Sequence, residues 1–125
     1  MKVAIFTGSR DLPYRLNIRL AIEGCVSESR HIYVGCCRTG LDAAVRDLSR
    51  EMCPLGISVF RARWEAHGRK AGPLRNQQMV DAARMESDVI VYAWPLGESR
   101  GTRDCMRRAK AAGFEVRVMT EEHGG

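Results

Sequence analysis

VAIFTGSRD (residues 3–11) starts with an unbroken apolar run that halts at Gly8. An apolar run this short, with no polar alternation, suits a strand buried on both faces. That implies a sheet with cover on either side, and the rest of the chain supplies it. Tyr14, Ile18, Ala21, Ile22 and Cys25 recur at helical spacing and predict a first helix reaching about Ser29. HIYVG (31–35) reads as a second strand. Leu41, Ala44, Val45, Leu48 and Met52 mark a second helix that stops near Cys53-Pro54, because the residue before proline disfavours helical geometry.

ISVF (57–60) is a third strand, followed by a long polar loop over 62–76. Pro73 suits the first position of the next helix, where its missing N–H costs nothing, and that helix is expected to run to about Glu86. DVIVYAWP (88–95) is the fourth strand. A helix from about Thr102 to Ala112 then stops at Gly113, and EVRVM (115–119) closes as a fifth strand. The order βαβαβαβαβ predicts an α/β fold. It is a single doubly wound Rossmann-like domain over 1–120, with a five-stranded, mainly parallel sheet, helices on both faces and a disordered tail at 121–125.

The composition fits one globular domain. Of 125 residues, 45% are hydrophobic and 28% charged, and a formal net charge of +5 favours anionic partners. Five cysteines without C-x-x-C spacing, and three histidines in no ligand pattern with them, predict reduced thiols and neither a metal site nor a cofactor. The segment after Lys2 is too short for a secretory signal and no stretch is long enough to span a membrane. A cytoplasmic protein with no membrane partner is expected.

In a doubly wound sheet, ligands sit beyond the carboxyl ends of the strands. Four loops leave those ends here: TGSRD, CCRTGLD, the stretch ending GRKAGPLRN, and PLGESRGT. Gly8 and Ser9 either make a tight turn or let a phosphate approach a helix start, with Arg10 beside them. Thr39 and Gly40 lead into the second helix. Asp42 in its first turn either offsets the helix dipole or holds a ribose hydroxyl. Trp64 is core or a stacking surface for a base. Gly101 and Thr102 open the fourth helix, with Thr102 as its N-cap or as part of the site. GRKAGPLRN (68–76) holds Arg69, Lys70 and Arg75 without an acid and is expected to face an anion.

TGSRD, then GLDAA, then W-E-x-x-G-R-x-A-G-P-x-R-N-x-x-M from Trp64 to Met79, resembles the YspA-like group of the SLOG superfamily of bacteria and their phages. That superfamily is named for the DNA-processing Smf/DprA proteins and the Lonely Guy phosphoribohydrolases. The resemblance spans nearly the whole chain and implies a cleft for a nucleotide-derived small molecule. Gly8, Ser9 and Arg10 would form one wall and Gly40 and Asp42 another, with Arg69, Arg75 and Asn76 serving the ligand's anionic part. It also implies a homodimer or larger homo-oligomer, and a role as sensor or sequestering protein.

Two departures bear on catalysis. The hydrolases carry P-G-G-x-G-T-x-x-E, whereas PLGESRGT alters the first glycine to Leu96, and the glutamate position falls on Cys105. Cys36-Cys37-Arg38 stands where the family has a Gly-Gly pair. A non-catalytic binder is therefore the leading expectation. The alternatives are a phosphoribohydrolase using Arg75 with Asp104 or Glu98, and a single-stranded nucleic-acid binder.

Overall fold

In the computed structural model, residues 1–52 and 56–119 are described. Strands β1 (Lys2–Gly8), β2 (Ser29–Gly35), β3 (Ile57–Phe60), β4 (Val89–Trp94) and β5 (Glu115–Val118) form one sheet in the order β3-β2-β1-β4-β5. All four pairings are parallel; Val3, for instance, faces His31 on one side and Val89 on the other. The expected Rossmann-like α/β architecture is present, with a sheet that is wholly rather than mainly parallel.

Helices α1 (Leu16–Ser27) and α2 (Gly40–Met52) cover one face, and α4 (Ala71–Ala83) and α5 (Arg100–Ala111) cover the other. Strand alternation divides the core accordingly. Ala4, Phe6, Ile32, Val34, Ile90, Tyr92 and Trp94 pack with Ile18, Ile22, Leu41, Val45 and Leu48. Val3, Ile5, Tyr33 and Val91 pack with Met79, Val80, Ala83, Cys105 and Ala109. Both faces of β1 and β4 are thus covered, which is why those strands are apolar without alternation. Each large side chain buried there contributes about 1.5–3 kcal/mol by leaving water.

Several boundaries differ from the sequence expectation. Tyr14 precedes α1 and is exposed, with the Arg19 guanidinium over its ring. β2 begins two residues earlier, at Ser29, whose hydroxyl donates to the Cys25 carbonyl. The stretch expected as a loop is largely helical, comprising α3 (Trp64–His67), a 3-10 turn (Gly68–Lys70) and then α4. Pro73 is therefore the third residue of α4, still in the turn whose N–H groups lack intrahelical partners. α4 ends at Ala83, short of Glu86, because the last turn tightens: Met85 and Glu86 donate to Ala82 and Ala83.

α5 starts two residues early, after Ser99 in the left-handed region (φ 41°). Thr102 is therefore inside the helix and is not its cap. Gly113 (φ 86°) ends α5 as expected: it donates to Lys110, and Phe114 donates to Ala109. The Cys53-Pro54 stop, Cys53 itself, His123 and the tail 121–125 lie outside the described residues.

Candidate functional site

The connections from β1 and β4 leave in opposite directions, toward β2 and β5, and open a crevice between them. A cavity of about 550 Å³ occupies it. Its walls come from the end of β1 and the loop after it (Thr7 to Asp11), Gly35 at the end of β2 and Cys37 beyond it, Asp42 of α2, Arg75 and Asn76 of α4, and the segment from Leu96 into the start of α5 at Thr102.

Arg75 is the centre of the polar floor. Its Nε donates to Asn76 Oδ1 at 3.0 Å. Asn76 is 2% exposed and both of its amide hydrogens are used, since its Nδ2 donates to the Gly101 carbonyl and to Asp104 Oδ2, both at 3.1 Å. Asp104 in turn accepts from Arg108 Nε at 2.8 Å and Arg107 at 3.3 Å. Burial alone would raise the Asp104 pKa, but hydrogen bonds from Arg108 and Asn76 and the charges of both arginines outweigh it and hold it below 3.8. A chain of hydrogen bonds thus fixes one edge of the Arg75 guanidinium and leaves the other for the cleft.

Asp42 faces that guanidinium. Its Oδ2 accepts the Cys37 N–H at 3.2 Å. Burial raises its pKa above 3.8, and the charges of Arg75 and Arg46 and the Cys37 bond offset the rise only in part. Gly35 makes this pairing possible. A Cβ there would strike Arg75 Nη1 and stand 2.6 Å from Asp42 Oδ2. Sequence reasoning passed over Gly35 as a strand end, since the side chains that need its space are 7 and 40 positions away.

The predicted site residues separate into three groups. Gly8, Ser9, Arg10, Asp42, Arg75, Asn76, Gly101 and Thr102 all line the cleft, as does Glu98. Within this group Gly8 has a packing duty, because a Cβ would stand 2.6 Å from Leu41 Cδ2. Ser9 Oγ accepts the Asp11 N–H at 3.0 Å, and the Ser99 hydroxyl donates to Thr102 Oγ1 at 2.7 Å.

Thr39 and Gly40 lie behind the wall. Thr39 Oγ1 donates to the Arg10 carbonyl at 2.9 Å, and Gly40 (φ 67°) lets α2 approach the Ser9 and Arg10 backbone. They clamp the β1–α1 loop and are not among the cleft-lining residues. Trp64 and Arg69 also lie outside the lining. Trp64 is 53% exposed, so it is not core either. Of the three cations in 68–76 only Arg75 reaches the cleft, whose charged lining is balanced by Arg10, Arg75 and Arg100 against Asp11, Asp42 and Glu98. The expectation that the whole basic stretch faces one anion is corrected, because Arg69 and Lys70, in the 3-10 turn before α4, are not among the cleft-lining residues.

The alternative catalytic carboxylates differ in setting. Asp104 is bound into the chain behind Arg75 and is not among the lining residues. Glu98 is 85% exposed at its side chain and sits 3.6 Å from Arg100. Cys105 is fully buried, and burial pushes its thiol up to about 11 despite a hydrogen bond with Thr7.

One relative is a phage protein. The chain is 57% identical over 58 residues to the Gene 61 protein of Mycobacterium phage D29, a match covering 46% of this chain and 43% of that protein. No family model and no solved structure matches the chain.

Proposed function

We propose that the cleft between the β1 and β4 ends binds a nucleotide-derived small molecule, such as a mononucleotide, a cyclic nucleotide or an ADP-ribose-like compound, without converting it. The observation that carries this is Arg75. Its guanidinium is fixed at Nε by buried Asn76 and lines a cavity of about 550 Å³ at the switch point of the sheet. A guanidinium held on one edge has parallel donors left for a phosphate or carboxylate. Buried Asp42, whose Oδ2 accepts the Cys37 N–H, supplies a further acceptor for ligand hydroxyls. The cavity lies within the size range of small-molecule sites.

The resemblance of TGSRD, GLDAA and the Trp64–Met79 stretch to YspA-like SLOG proteins favours the same ligand class. A non-catalytic role is supported by Cys105 at the position where phosphoribohydrolases carry glutamate, and by the binding of Asp104 to Asn76 and Arg108 behind the cleft lining. A sensing or sequestering role in conflict between bacteria and phages fits the likeness to a phage protein, with a homo-oligomer as the working form.

The test incubates the protein with nucleoside monophosphates, cyclic nucleotides and ADP-ribose, reading thermal stability and the mass of the small molecules together. Stabilisation with the nucleotide recovered intact, lost in Arg75→Ala, is expected. Accumulation of free base and ribose phosphate would replace this reading with the hydrolase.

A further inference from the structure

We infer that the exposed segment from Arg61 to Lys70 is a binding face for single-stranded nucleic acid, separate from the cleft. Neither α3 nor the 3-10 turn contains a buried residue, so this segment adds nothing to the core. It is nevertheless held in a defined helical path, with Ala66 and His67 both donating to the Arg63 carbonyl at 3.1 and 3.0 Å. One edge of the Trp64 indole rests near α4, where a Gly72 Cβ would stand 3.4 Å from Cη2. Over half of the side chain stays exposed.

Flanking Trp64 in sequence, Arg61, Arg63, Arg69 and Lys70 are all exposed, and none has a side-chain hydrogen bond or ion pair to a described residue. Elsewhere on the surface Arg19, Arg30, Arg84, Arg108 and Arg117 each pair with a carboxylate. Here four free cations meet one acid, Glu65. None of these residues lines the cleft.

A polyanion satisfies the charges, and an anion that also offers flat rings satisfies the indole. Single-stranded nucleic acid does both, with a base stacked on Trp64 and phosphates along the cations. An acidic peptide would leave the indole unused. A lipid surface needs more apolar side chains than Trp64 with Ala62 and Ala66 provide. A four-residue α3 is too short to read a duplex groove.

The chain reports this binding itself, because Trp94 is 1% exposed and Trp64 is its sole exposed tryptophan among the described residues. Titration with oligothymidylate should quench Trp64 emission. Anisotropy of a labelled oligothymidylate should give the same midpoint. Its affinity should fall with salt at a slope of roughly −3 in log–log form, as neutralisation of about four phosphates implies. Trp64→Ala should weaken binding about tenfold, and Arg61→Ala/Arg63→Ala should flatten the salt slope by roughly one unit.

No change in either signal would overturn the inference. So would oligonucleotide binding undiminished in both variants, which would place it elsewhere. Equal affinity for polyglutamate would assign the face to acidic proteins, and equal affinity for free thymidine monophosphate would make it a mononucleotide site. Circular dichroism of the variants checks that these exposed substitutions leave the fold intact. Because Trp64 is remote from Arg75 in function, loss of cleft binding alone leaves this result standing.

Discussion

Asn76 presents its carbonyl oxygen to Arg75 Nε at 3.0 Å while its amide is tied to Gly101 and Asp104, so two consecutive residues of α4 act as one device. Arg75 carries the charge and Asn76 sets its direction. Asn76→Ala removes a buried side chain with three hydrogen bonds and should cost about 1–3 kcal/mol of stability by denaturant unfolding. It should also lower nucleotide affinity although both amide hydrogens of Asn76 are already donated within the protein. The double variant Arg75→Ala/Asn76→Ala should bind no worse than Arg75→Ala alone, and such non-additivity in calorimetry separates orientation from direct contact.

Gly35→Ala should disrupt the site and Gly24→Ala should stabilise the fold. At Gly35 a Cβ would collide with Arg75 and Asp42, and forcing atoms into a packed site typically costs about 1–3 kcal/mol. Gly24 sits within α1 with nothing within 4 Å of a Cβ, so alanine gains about 0.5–1 kcal/mol of helix propensity. A pair of melting curves tests both, with a rise of roughly 2–6 °C expected for Gly24→Ala.

Buried Asp42 and half-buried Asp104 give opposite pH signatures. Asp42 has a pKa raised above 3.8 by burial, so the folded state holds its proton more tightly than the unfolded chain. Its stabilising effect is complete below 3.8 and is lost as pH rises through the raised value. Asp104 has a lowered pKa, so its contribution is present above 3.8 and is lost as pH falls through the lowered value. Asp42→Asn keeps an acceptor for the Cys37 N–H. It should abolish the decline in stability above 3.8 in urea titrations at stepped pH, leaving the acid-side loss in place.

Thiol reactivity should divide the cysteines. Burial pushes Cys25 and Cys105 both up to about 11, so they should resist maleimide, whereas half-buried Cys36 and Cys37 should react first among the four described cysteines. Cys37 lines the cleft, so a bound nucleotide should slow its labelling in peptide mass maps more than that of Cys36.

The central strands were legible because they are covered on both faces, and burial leaves a direct apolar signature such as VAIF or VIVYAW, whereas the half-exposed edge strands β3 and β5 show instead as short β-branched runs, ISVF and EVRV. The short helix α3 was not, because it buries nothing and so has no apolar period to betray it. Most of the cleft was visible too, since strand order and glycine-bearing loops locate the carboxyl edge. What sequence hides is how side chains share space across it. The need for Gly35 comes from Arg75 and Asp42, and that for Gly40 from the backbone of Ser9 and Arg10. The run from Arg69 to Arg75 looks like one charge cluster along the chain, yet only Arg75, on the first turns of α4, lines the cleft, while Arg69 and Lys70 sit exposed in the 3-10 turn before it.

The most direct test of the account compares two arginines six positions apart. Calorimetric titration of AMP and ADP-ribose would be run on the native chain, Arg75→Ala and Arg69→Ala. The account predicts that Arg75→Ala weakens binding by about tenfold or more, the usual worth of a charge-assisted contact, and that Arg69→Ala leaves it within error. Binding that survives the loss of Arg75, or fails on the loss of Arg69, would contradict it.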